Sequence, residues 1–298
     1  MTRRPFDAKR RAINRALATG VGALCVPRAM LFAATGSERV VVVGGALAEI
    51  VYRLGNASRL VATDTTCTYP PEAARLPKVG YQRALSAEGI LSLRPDLLVS
   101  SAEAGPPSVL EQIRGAGVRV VTFGEGHDAA SVEAKIRGVA KAFGETEKGR
   151  ALHDAFVRDW RRTEQQVARA PLARRTGPLR VIFVLNQSGT QAMVSGEATA
   201  ADAMIWFAGA ANAMQGVRGY RPLSAEALVA SAPDVILTTD DTLRAGHGAA
   251  TLLASPGFAA TPAGRAKRIV SMDTLFLLGF GPRLPDAVLQ LHRRLRDA

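Results

Sequence analysis

Two α/β lobes facing each other across a cleft are the fold that the sequence predicts, and three observations lead to it. A helix–turn–strand segment occurs twice, apolar β-branched runs mark buried strands, and a long helical pattern separates the two copies. The segment Leu85-Ser-Ala-Glu88, an apolar run and Pro95-Asp96 recurs as Leu223-Ser-Ala-Glu226, an apolar run and Pro233-Asp234. Paired over residues 85–101 and 223–239, the copies agree at six of 17 positions. Each reads as a short helix with an acid in its first turn, a Pro-Asp turn, and a buried strand, Leu97-Leu-Val-Ser100 or Val235-Ile-Leu-Thr238. One unit used twice gives two similar lobes, and the space between lobes is where ligands bind.

Arg39 to Gly45 is a valine run ending in glycines, a buried first strand and a tight turn. Ala46 to Leu54 has helical character and stops at Gly55-Asn56. Leu60-Val-Ala-Thr63 is a second short strand, and Asp64 to Gly80, with three prolines, is a cleft-lining or exposed loop. The repeat unit, a helix near Ser108–Ala116 and the strand Val118–Thr122 complete the first lobe. From Ala129 to Ala170 the pattern is helical, with Val139, Phe143, Leu152, Phe156, Trp160 and Val167 spaced among polar residues, and Pro171 ends it. This segment predicts one stiff connector helix. The second lobe restarts with the strand Arg180–Leu185, a Gly- and Ser-containing stretch from Gln187 to Gly196, a helix over Thr199–Ala208, and a loop over Met214–Pro222 that leads into the second repeat. The expected divisions are an export signal over 1–33, an N-terminal lobe over 34–128, the connector over 129–170 and a C-terminal lobe over 171–298.

The chain has 298 residues, 47% hydrophobic and 21% charged, which is a globular composition. Its net charge of +12 is unevenly placed: residues 1–33 hold seven basic side chains and one acid, so the body carries only half of the excess. No long basic run tracks a phosphate backbone, and nucleic acid is not an expected partner. The leader has a basic start, an apolar stretch over Ala16–Cys25 and small residues at Ala33-Ala34, the three parts of an export signal. Paired arginines at Arg3-Arg4 and Arg10-Arg11 leave the Sec and twin-arginine routes both open. Beyond Cys25 in the leader only Cys67 remains, so the mature fold has no disulfide, and Cys67 reads as a small buried hydrophobe.

Each repeat is preceded by a loop carrying tyrosine and arginine: Gly80-Tyr81-Gln82-Arg83 and Gly219-Tyr220-Arg221. Related lobes would set these loops facing each other. Tyr81 and Arg83 share one face of an extended segment, and a guanidinium beside a phenol stabilises the phenolate. A phenolate is a hard anionic oxygen ligand suited to ferric iron and is one of the axial ligands of haem. The same pair also reads as surface packing. Arg218, Tyr220 and Arg221, with no acid between Asp202 and Glu226, form a rim suited to carboxylates or simply to water. The four histidines, His127, His153, His247 and His292, lack metal-ligand spacing.

In Leu76-Pro-Lys-Val-Gly-Tyr-Gln-Arg-Ala-Leu-Ser-Ala-Glu-Gly-Ile-Leu-Ser-Leu-Arg-Pro-Asp96, in Thr199-Ala-Ala-Asp-Ala-Met204 and in Gly219-Tyr-Arg-Pro-Leu-Ser-Ala-Glu226, the chain resembles the periplasmic haem-binding proteins of bacterial haem ABC importers. The likeness runs from about Arg39 to the C-terminus. It implies two Rossmann-like lobes joined by one long connector helix, little closure on binding, and a monomer that carries ferric haem b as transported ligand and is not an enzyme. It also implies that Tyr81 ligates the iron, that Arg83 hydrogen-bonds Tyr81, and that Glu88 and Glu226 dock onto arginines of the permease. Arg218, Tyr220 and Arg221 would then stand near the propionates. At least one member holds a second, stacked haem through a histidine of the second lobe, and Asn186–Gly196 contains none. Tyr69, in Thr68-Tyr-Pro-Pro71, is the competing ligand, with Arg75 its nearest arginine in sequence.

The nearest alternative is the same fold carrying a ferric siderophore or a corrinoid, ligands that do not require Gly-Tyr-Gln-Arg. A cytosolic nucleotide-dependent enzyme is the alternative from another class, prompted by the strand–glycine turn at Val40–Gly45. Gly44-Gly-Ala-Leu-Ala-Glu49 lacks the G-x-G-x-x-G spacing that such a site uses.

Overall fold

The computed structural model describes residues 38–174, 177–188 and 191–298. The expected leader, with Cys25 and both arginine pairs, lies outside the described residues. The first sheet has four parallel strands in the order Leu60–Thr63, Val40–Val43, Leu97–Ser101, Arg119–Phe123. All four valines of the first strand are fully buried, as a strand covered on both faces requires. The second sheet runs Tyr220–Leu223, Gln191–Ser195, Arg180–Ser188, Val235–Thr239, Ile269–Met272, with Ala211–Asn212 also pairing onto Arg180–Ser188. Its first two pairings are antiparallel and its last two parallel.

The sequence repeat is a structural one. Ser86 and Ser224 cap the short helices Ala87–Leu91 and Ala225–Ser231, each accepting a backbone N–H at 3.3 Å. Asp96 Oδ2 accepts the Arg39 backbone N–H at 2.7 Å, and Asp234 Oδ2 accepts that of Arg180 at 3.0 Å. The backbone N–H groups of Asp96 and Asp234 return the bond to the Arg39 and Arg180 carbonyls, both at 2.8 Å. Each Pro-Asp turn is thereby locked to the residue that opens its lobe's first core strand.

Three readings change. The helical pattern over 129–170 is two helices, Ala129–Phe143 and Thr146–Arg169, because Gly144 takes the left-handed conformation at φ 73° and ends the first. They pack side by side at Gly149, where an added Cβ would lie 2.2 Å from Ala140 Cβ. The 24-residue second helix, about 36 Å long at the α-helical rise, is the true connector. It leaves the first lobe at Asn56, whose amide donates to Glu145 at 3.0 Å, and reaches the second, where Trp160 meets Phe207 edge-on at 4.8 Å. The stretch over Gln187–Gly196 and the loop over Met214–Pro222 contribute the strands Gln191–Ser195 and Tyr220–Leu223, whose short mixed-polarity sequences hide a pairing formed only in the sheet. The loop from Asp64 to Gly80 contains one short helix, Pro71–Arg75.

The lobes are joined by more than the connector. A single apolar cluster runs from Val40, Leu47 and Ile50 through Ile136 and Phe156 to Phe183, Leu277 and Leu291. Glu49, 3% exposed, accepts from Arg283 Nε of the C-terminal segment at 2.8 Å and from Arg53 Nε at 3.1 Å. A shared core and a buried ion pair oppose hinge motion. Arg283→Ala leaves that carboxylate half-paired, and a loss of about 3 kcal/mol in unfolding free energy is expected by urea denaturation.

Candidate functional site

The walls of the cleft are set by two loops of the first lobe. In the loop after Leu60–Thr63, the buried Asp64 carboxylate accepts the Gly44 N–H at 2.8 Å, the Thr66 N–H at 3.0 Å and the Cys67 thiol at 3.0 Å. Burial, and then Asp64, push the Cys67 thiol well above its ordinary pKa, so this cysteine is packing and not a nucleophile. Lys78 Nζ ties the loop shut through Thr63 Oγ1 and the carbonyls of Cys67 and Ala73, at 2.8 to 3.0 Å. Thr65, Thr66 and Thr68 then line the cleft.

Gly80–Tyr81 pairs antiparallel with Ala84–Leu85 around the two-residue turn Gln82-Arg83, so Tyr81 ends the first strand and Arg83 lies in the turn, not on one extended segment. They meet nonetheless: Arg83 Nη1 donates to Tyr81 Oη at 3.2 Å. Arg83 Nη2 forms an ion pair with Glu103, so one guanidinium fork holds a phenol with one arm and a carboxylate with the other. Tyr81 is 44% exposed, open to a ligand entering the cleft.

From the second lobe Tyr220 enters the same cleft. Burial pushes its phenol above the ordinary tyrosine pKa, while Arg83 across the cleft and hydrogen bonds with Thr199 and the Ala201 backbone pull the other way. Tyr220 is a neutral phenol at pH 7, suited to donating a hydrogen bond. The facing of Gly80–Arg83 by Gly219-Tyr220, expected from the repeat, is present. Arg218 and Arg221 are exposed and do not line the cleft; side chains alternate along Tyr220–Leu223, so the strand that turns Tyr220 inward turns Arg221 away. Tyr69 does not line it either. Its ring lies 3.6 Å under the Arg283 guanidinium, so the arginine that answers it is Arg283 and not Arg75.

The cleft has a volume of about 680 Å³, within the roughly 300–1,000 Å³ of small-molecule sites. Sequence reasoning missed several of its residues. Glu103 and Glu125 follow strands whose ends sequence cannot orient, and His127 carries no local signal. Lys135 does carry one: it stands among Val132, Ile136 and Val139 on the buried face of its helix. Burial lowers its ammonium pKa, opposed by Glu125 and Asp128, and its Nζ donates to the Phe280 carbonyl at a long 3.5 Å. No three His, Cys, Asp or Glu side chains among the described residues are grouped to hold a metal ion. A single tyrosine donor fits a metal that arrives already chelated.

Residues 40–274 match the periplasmic binding protein family. The chain belongs to that family. Its fold is similar to that of the periplasmic heme-binding protein BhuT in complex with two hemes, with 61% identity, a TM-score of 0.83, and coverage of 88% of this chain and 99% of that one. It is similar in the same proportions to the apo periplasmic heme-binding protein RhuT from Roseiflexus sp. RS-1, at 40% identity and a TM-score of 0.83. An uncharacterized ABC transporter substrate-binding lipoprotein of Bacillus subtilis (strain 168), YvrC, is 25% identical over 245 residues, 82% of this chain and 75% of that protein. As in other members of the periplasmic binding protein family, the cleft lies between two α/β lobes, and binding is its role.

His127 lies in the cleft edge-on to Phe280, with ring centroids 5.3 Å apart. Burial lowers its pKa, with Lys135 acting the same way and Glu125 and Asp128 opposing. The folded protein therefore favours the neutral ring. Its contribution to stability is complete above the unfolded imidazole's value, near 6.5, and is lost as the pH falls through the lower folded value. Urea midpoints measured from pH 7.5 to 5 are expected to fall less steeply in His127→Gln than in the parent.

Proposed function

We propose that the protein is a periplasmic carrier that binds ferric haem in the cleft, with Tyr81 as iron ligand and Arg83 as its hydrogen-bonding partner, and delivers it to an ABC permease. The observation that carries this reading is the Arg83–Tyr81 contact, set at the open face of the cleft. Ferric iron prefers hard anionic oxygen, and a guanidinium favours the phenolate that supplies it. Tyr220, a neutral phenol opposite, serves as a hydrogen-bond donor. The likeness to haem-binding proteins at 61% and 40% identity supports the cargo. Tyr69, held under Arg283, is the weaker candidate, and Arg218 and Arg221 act only at the exposed outer rim. The role is carriage without chemistry, and residues 1–33 are read as the signal that exports it.

Delivery is assigned to the repeat. Glu88 and Glu226 are both exposed and stand in the first turn of the two serine-capped helices, one in each lobe. Its own backbone N–H and the Ser224 hydroxyl lower the Glu226 pKa, which keeps it ionised for an arginine partner.

Ferric haem titrated into the protein lacking residues 1–33 is expected to give a saturable high-spin phenolate spectrum, with the saturation point reading the number of haems bound. Tyr81→Phe should remove the phenolate charge-transfer band, and Arg83→Ala, which removes the hydrogen bond to Tyr81 Oη, should weaken haem binding. A spectrum unchanged in Tyr81→Phe would rule Tyr81 out as ligand. Glu88→Lys and Glu226→Lys should leave haem affinity within about twofold while lowering permease-dependent uptake at least about tenfold, as expected for loss of charge pairs at an interface.

A further inference from the structure

The deep wall of the cleft carries a second set of donors. Leu60–Thr63 lies on one side of Val40–Val43 and Leu97–Ser101 on the other, so the chain reverses direction across the sheet between Val40–Val43 and Leu97–Ser101. In open α/β sheets such a reversal leaves a crevice at the carboxyl ends of the two strands, where ligands bind. The crevice here is walled by Gly44, Gly45, Ala46 and Ser101, all of which line the cleft.

The helix Gly45–Arg53 begins at that point, nine residues long and without a side-chain cap. The Gly44 carbonyl takes the N–H groups of Leu47 and Ala48, both at 3.1 Å, and Asp64 takes that of Gly44. The N–H groups of Gly45 and Ala46 are left at the helix mouth, where the helix dipole favours an anion. Beside them stands an independent signal. Ser101 is 4% exposed, its Oγ has no hydrogen-bond partner, and its Cβ is 3.7 Å from where a Cβ on Gly44 would stand. Thr66, whose carbonyl lies 2.8 Å from where a Cβ on Gly45 would stand, also has a buried Oγ1 without a partner. Buried hydroxyls without partners are costly, and these two, unlike that of Ser100, belong to residues that line the cleft, where a ligand can supply the partner. Gly45 itself cannot carry a side chain, since a Cβ there would lie 2.4 Å from Leu275 Cδ1 and 2.8 Å from the Thr66 carbonyl.

The charges elsewhere in the cleft point the same way. Arg83 is engaged by Tyr81 and Glu103, Lys135 is buried, Glu103, Glu125 and Asp241 repel anions, and Arg218 and Arg221 lie outside. Asp64, below the helix mouth, spends its carboxylate on three donors of its own, the N–H groups of Gly44 and Thr66 and the Cys67 thiol, and leaves the N–H groups of Gly45 and Ala46 to the cleft. We propose that Gly45, Ala46, Ser101 and Thr66 form a carboxylate subsite that receives one propionate of the cargo and so fixes its orientation in the cleft. This assignment rests on the reading of the cargo as haem.

The test compares ferric haem with its dimethyl ester, in which both propionates are neutral, on the parent, Ser101→Ala and Ser101→Asp proteins. The parent is expected to bind haem at least about tenfold more tightly than the ester, as loss of hydrogen bonds to a charged group predicts. Ser101→Ala should weaken haem about three- to tenfold, and Ser101→Asp, which sets a carboxylate against a carboxylate, more than about tenfold, both with little change for the ester. Equal losses for both pigments, or no loss of haem affinity in either variant, overturn the subsite and leave the haem reading intact. Failure of the parent to saturate with either pigment overturns the haem reading and the propionate assignment with it. Because the same donors accept a free oxyanion, inorganic phosphate is titrated alone, and saturable binding abolished by Ser101→Asp would give the site to free phosphate instead.

Discussion

In each lobe an aspartate carboxylate accepts the backbone N–H that opens the first core strand, Asp96 that of Arg39 and Asp234 that of Arg180. This bond ties the start of each strand to the turn that follows its lobe's repeat helix. The arginine side chains complete the lock, Arg39 on the carbonyls of Leu93 and Arg94, Arg180 on those of Ser231 and Ala213. Helix, turn and strand are thereby fixed relative to one another before any longer-range packing is considered. The exposed acids at Glu88 and Glu226 inherit their positions from the same unit.

From those two fixed units the cleft follows. The hairpin at Gly80–Leu85 leads directly into the first repeat and the strand Tyr220–Leu223, the edge of the second sheet, into the second, so each tyrosine stands just before a repeat. The shared apolar cluster and the Glu49–Arg283 ion pair then hold the lobes against each other. A cleft built this way is preformed, and a preformed cleft loses less entropy on binding a rigid ligand than one that must close over it.

The cleft is not uniformly basic, although the loops that announce it are. Its described charges are Arg83 and Lys135 against Glu103, Glu125 and Asp241, and the arginine is shared between a phenol and a carboxylate. Anion recognition therefore passes from side-chain charge to backbone dipole, at the end of the helix Gly45–Arg53.

The sequence by itself determined the two-lobe architecture, the buried strands, the pairing of Tyr81 with Arg83 and the places of Glu88 and Glu226, because each is encoded in contiguous residues. Periodicity, capping serines and Pro-Asp turns act over a few positions and can be read there. Only the tertiary structure decided that the helical stretch folds back at Gly144, that Tyr69 belongs to Arg283, more than 200 positions away, and that Arg218 and Arg221 face outward while Tyr220 faces in. It also decided that Ser101, Glu103, His127 and Lys135 meet Tyr81 in one cleft. Those facts depend on which strand edges pair and which surfaces are covered. Such contacts join residues far apart in the chain, and no local pattern of residue types carries them.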